Sequence, residues 1–123
     1  MKYLLIVLFG GAGSLARYLV GMAVAVRYGS RFPWGTLAVN VTGSFLIGLI
    51  MTLLTERLAV SPNWRFALVV GFLGGYTTFS TFAQEGLDLM REGQSAVALL
   101  YAVGSVLVGL VAVYAGMAVG RVL

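Results

Sequence analysis

The sequence predicts an all-α membrane protein with four transmembrane helices, the third of them broken near its middle. Three observations carry that prediction. The chain of 123 residues is 60% hydrophobic and only 10% charged, whereas a typical soluble domain carries about 25% charged residues. A mean hydropathy of +0.99 leaves it too little polar surface to face water, which points to lipid. The charges also separate long uncharged runs, and one of these runs holds glycines and small hydroxyl residues where unbroken apolar sequence is expected.

The first helix is expected over residues 3–26, interrupted only by Arg17. Its start, MKYLLIVLFGGAG, places Lys2 before an apolar run, and an AVA at Ala23 to Ala25 imitates a leader cleavage site. Arg17 breaks that pattern and the rest of the chain is equally apolar, so the segment is expected to be retained as a span. The second helix is expected over 33–55, the third over 65–91 with a break near 74–78, and the fourth over 95–120. Each is long enough for the roughly 20 residues a membrane crossing needs. The connecting segments RYGSRFP, TERLAVSPNWR and QEGLDLMREGQ are short and polar and include Pro33 and Pro62. None could form a domain, so residues 1–123 are expected to make one four-helix unit.

Composition excludes several classes. Without cysteine there are no disulfides and no thiolate metal sites. Without histidine the commonest general base is missing, so the chain is not expected to be an enzyme. The net charge of +4 is dispersed beside apolar runs, which fits membrane flanks better than nucleic acid. The four acids, Glu56, Glu85, Asp88 and Glu92, fall in or beside the predicted loops, so no span is expected to carry a carboxylate near its middle. A small proton-coupled multidrug exporter would need one.

Four spans put both termini on one side, with Lys2, Arg57, Arg65 and Arg121 there and Arg27, Arg31 and Arg91 opposite. A bias of one residue is a poor orientation signal. Either something else sets the orientation, or the chain inserts both ways and pairs as an antiparallel dual-topology homodimer.

Within the spans the polar groups are few. Arg17, in GGAGSLARY, either snorkels toward a helix end or stands as a structural or anion-attracting charge at a water-filled vestibule. Asn40, in GTLAVNVTGSFLIG, offers an interhelical hydrogen bond or a neutral donor to a passing anion, and Thr42, Gly43 and Ser44 extend the same polar patch. The stretch GGYTTFSTF explains the predicted break. Gly74 and Gly75 weaken the helix, while Thr77, Thr78, Ser80 and Thr81 can satisfy the freed backbone groups. Carbonyls exposed at such a break can coordinate a cation. Phe79 and Phe82 then share a face of the resumed helix, either as packing or with their positive ring edges toward an anion. Tyr101 and Ser105 are an i, i+4 hydroxyl pair on the fourth helix. Gly71/Gly75 and Gly116/Gly120 are small-residue pairs of the kind that let membrane helices approach closely.

Taken together, GGAGSLARY, GTLAVNVTGSFLIG and GGYTTFSTF resemble the Fluc (CrcB) family of fluoride channels over essentially the whole chain. The resemblance implies an antiparallel dual-topology homodimer in a bacterial inner membrane, with two pores that passively export fluoride and lower its intracellular level. It implies that Asn40, Phe79, Phe82, Tyr101 and Ser105 line the pore. It implies a structural Na⁺ at the dimer interface, held by the backbone carbonyls of Gly74 and Thr77, with structural roles for Arg17 and Gly75. One further hydroxyl position of the fourth helix appears here as Gly109. The competing readings are a small dual-topology multidrug exporter, which needs an acid in the first span where Arg17 stands, and a non-transporting assembly subunit, which would tolerate changes at Asn40, Phe79 and Phe82.

Overall fold

The computed structural model describes Met1–Leu123 as an all-helical chain. Helix α1 runs over Lys2–Tyr28 and ends at Gly29, whose φ of 82° suits a residue without Cβ. Helix α2 runs over Trp34–Thr52, with Pro33 before its first turn, and continues through a π-helical turn, Leu53–Arg57. Helix α3 occupies residues 63–76, with its apolar middle, Phe66–Leu73, wound as π-helix. Thr77 and Thr78 are extended, and helix α4 starts afresh at Phe79–Arg91. A turn at Gly93 leads into α5, Ser95–Val122. Four helical segments, Lys2–Tyr28, Trp34–Arg57, Asn63–Arg91 and Ser95–Val122, are long and apolar enough to cross a membrane.

Glycine decides which helices meet. A Cβ on Gly75 would collide with the Gly10 carbonyl, and one on Gly13 with the Phe72 carbonyl, so α1 and α3 touch backbone to backbone. A Cβ on Gly48 would meet the Val113 carbonyl and one on Gly116 the Phe45 carbonyl, which locks α2 to α5 in the same way. Lipid gives no hydrophobic drive between helices, so such close dispersion contact is the main source of cohesion.

Two small clusters fill the interior. Val39, Leu73 and Tyr76 join α2 to α3, and Leu89, Ala98 and Tyr101 join α4 to α5. Only 16 of 123 residues are buried, so the outer surface stays apolar. Leu4, Leu8 and Leu19 of α1 and Leu99, Leu107 and Leu110 of α5 are all exposed, as a lipid-facing surface requires.

Candidate functional site

The break in the third span is held from α2. Asn40 donates its amide N–H to the Thr78 carbonyl at 2.9 Å, and its Oδ1 accepts the Thr78 backbone N–H at 2.8 Å. In an unbroken helix that N–H would close onto the carbonyl of Gly74. Its diversion to Asn40 is what lets the chain leave the helix. Two residues along α2, Thr42 bonds the hydroxyl of buried Tyr76 at 2.8 Å, so α2 grips both sides of the break. Thr78 then caps the new helix, its hydroxyl accepting from the Thr81 N–H at 3.2 Å.

A cavity of about 410 Å³ opens beside this break. Asn40, Thr77, Phe79, Phe82 and Ser105 all reach it, together with Ser44. The Ser105 hydroxyl is buried there without a hydrogen-bond partner. Asn40 spends one amide hydrogen and its oxygen on Thr78, which leaves its second amide hydrogen as a donor. Phe79 and Phe82 lie with ring centroids 5.8 Å apart at 51°, and Phe79 is 79% exposed on the open side of the chain. The site therefore offers neutral O–H and N–H donors and aromatic edges, with no acid among its lining residues.

Tyr101 is not in that cavity. Phe82 packs against it at 5.0 Å, and the Tyr101 hydroxyl donates to Glu85 Oε2 at 2.9 Å. The Thr36 hydroxyl donates to the other oxygen, Oε1, at 2.8 Å. The i, i+4 pair divides, with Ser105 toward the cavity and Tyr101 toward a carboxylate. Glu85 also lies inside α4, half-buried against α2 and α5, where the sequence reading kept all acids at the loops. The physical reason is the restart of the helix at Phe79. Counted from there, Glu85 follows Phe82 by three residues and so shares its inward face. That spacing was the available signal for Glu85, whereas Thr36 had none. Beyond Glu85 a second cavity of about 410 Å³ opens, edged by Arg31, Asp88 and Glu92.

Arg17 sits in the body of α1 and lines a third cavity with Thr36, Thr78 and Thr81. Its guanidinium donates to the Thr77 carbonyl at 3.4 Å, so it does not snorkel to a helix end. Gly75 lies in the α1–α3 contact and does not line the first cavity. Gly74 and Thr77 do, with Gly74 exposed. Backbone oxygens suit a hard cation. One chain offers the Gly74 carbonyl, freed from its helical partner, and the Thr77 carbonyl, shared with Arg17. Two oxygens fit part of a cation's shell and leave the rest to another source.

The family model described as CrcB-like protein, Camphor Resistance (CrcB), matches residues 4–117. The "Fluoride-specific ion channel FluC" of Solibacter usitatus is 60% identical over 121 residues, covering 98% of this chain and 99% of that protein. Proteins of the same name from Acidobacterium capsulatum and Rhizobium meliloti are 52% and 48% identical, each over 98% of this chain and 97% and 98% of their own lengths.

Proposed function

The chain belongs to the CrcB family, and from that membership we propose that it is a fluoride-specific ion channel in a membrane it crosses four times. The observation that carries this reading is the near-complete match to relatives named as such channels. The geometry supports it with a path made of weak, neutral donors. Fluoride is strongly hydrated, and a conduit must replace its water while still letting it leave. The second amide hydrogen of Asn40, the free hydroxyl of Ser105 and the edges of Phe79 and Phe82 are donors of that strength. Glu85 is the electrostatic obstacle farther on, and the Thr36 and Tyr101 hydroxyls offset its charge by occupying both oxygens. A family of ion channels leaves no call for an enzyme's acid–base machinery.

The working unit we propose is an antiparallel dual-topology homodimer in a bacterial inner membrane, exporting fluoride by passive electrodiffusion through two pores. Supporting this, the cavity is open on one side, Phe79 stands exposed there, and the basic residues are nearly balanced across the membrane. In such a pair each chain would contribute the Gly74 and Thr77 carbonyls to a Na⁺ on the two-fold axis. That ion would supply positive charge and hold the two breaks together.

The test is release of fluoride from liposomes, read by a fluoride electrode, with chloride-loaded liposomes as the control. Fast fluoride release without chloride release is expected, together with loss of release in Phe79→Ile and on replacing Na⁺ by N-methylglucamine. Folded, membrane-inserted protein that releases no more fluoride than bare liposomes refutes the channel.

A further inference from the structure

Most hydroxyls in the spans of this chain are already satisfied. Thr42, Thr55 and Thr77 each donate to the carbonyl four residues back, at 2.7, 2.7 and 3.0 Å, the usual refuge of a hydroxyl within a helix. Thr36 is bound to Glu85, and Thr78 and Thr81 to each other. Ser105 is different, being buried and unpartnered at the cavity. Ser44 lines the same cavity and takes no part in the hydrogen bonds that tie α2 to the break. It lies one turn beyond Asn40 on α2, so the two share a face.

Facing Ser44 is Gly109, one turn beyond Ser105 on α5. A Cβ built on Gly109 would have a single neighbour within 4 Å, the Ser44 Oγ at 3.6 Å. The missing side chain therefore leaves a gap whose opposite wall is a hydroxyl. We propose that Ser44 is an ion-coordinating residue of the conduction path. Its hydroxyl and that of Ser105, from facing helices, form one fluoride-binding position, and Gly109 provides the clearance that lets Ser44 reach the ion. The proposal rests on the channel reading above. Two O–H donors on opposite walls suit a small, hard anion, because hydrogen bonds to a charged acceptor are shorter and stronger than neutral ones.

The experiment measures fluoride release per folded protein from liposomes for a set of variants. Ser44→Ala should slow release about tenfold, equivalent to about 1.4 kcal/mol, while Ser44→Thr, which keeps the hydroxyl, should stay within about twofold. Adding Gly109→Ser to Ser44→Ala returns a hydroxyl from the other wall and should recover most of the rate. Adding Gly109→Ala returns volume alone and should not. A Ser44→Ala protein as fast as the parent overturns the proposal, and so does equal rescue by Gly109→Ser and Gly109→Ala. If Ser44→Ala does not fold, Gly109→Ala in the parent decides. Its methyl stands against the Ser44 hydroxyl and should slow release, so an unchanged rate overturns the idea. A parent that releases no fluoride refutes the channel itself, whereas a fast parent with a fast Ser44→Ala removes only Ser44.

Discussion

Replacing Asn40 by alanine separates holding the break from lining a pore. The substitution deletes two hydrogen bonds, the amide N–H to the Thr78 carbonyl at 2.9 Å and the Thr78 N–H to Oδ1 at 2.8 Å. Interhelical hydrogen bonds in membrane proteins average about 0.6 kcal/mol in double-mutant cycles, so two set a lower bound of about 1 kcal/mol. The upper bound comes from burial. Thr78 is 7% exposed, so its backbone groups have little room to turn to water. Each orphaned group costs about 1–3 kcal/mol, or about 6 kcal/mol for both at the full penalty. An alanine side chain cannot follow them, and a loss of about 3–5 kcal/mol is expected.

The assay is reversible unfolding in mixed micelles of fixed composition and fixed protein concentration, since any self-association adds to apparent stability. Amide exchange at Thr78 gives a local readout, and its protection should collapse in the variant. Fluoride release should fall as well, but that loss alone does not discriminate. A residue serving only as an anion donor would abolish release with stability intact. Unfolding free energy within about 0.5 kcal/mol of the parent, the range of an inconsequential surface change, would therefore refute the clamp and leave Asn40 a pore residue alone.

Other predictions follow from the same contacts. Gly116→Val drives a side chain into the Phe45 carbonyl at the α2–α5 contact and should cost at least about 1–3 kcal/mol, read as a lower unfolding midpoint. Gly104→Ala on the same helix, where a Cβ meets nothing within 4 Å, should be neutral or slightly stabilising in that experiment. Tyr101→Phe strips one donor from half-buried Glu85, and Thr36→Val strips the other. Each should slow fluoride release about tenfold, the effect of about 1.4 kcal/mol, with the protein still folded. Parent-like release from both would show that the pairing of Glu85 is not needed for conduction.

The parts of this molecule that were legible in the sequence are the local ones. Four spans follow from runs of uncharged residues, and the interruption follows from two glycines and three threonines packed into nine positions, GGYTTFSTF. What escaped is what the interruption does to register. Glu85 reads as part of the charged segment QEGLDLMREGQ, beside the loop that ends the third span. The chain stops at Tyr76, runs extended through Thr77 and Thr78 and restarts at Phe79, so the inward face is set from the restart. Phe82, Glu85 and Leu89 then point one way, toward Tyr101 and Thr36. Thr36 lies 49 residues away in sequence, and no local pattern announces that contact. For Asn40 the sequence leaves open an interhelical hydrogen bond or an ion donor, and the structure shows the former, with its oxygen and one hydrogen serving the Thr78 backbone. A broken helix in lipid has to satisfy its freed groups from a neighbour. The polar residue opposite the break is thus committed to structure first, and only its remaining hydrogen is available for transport.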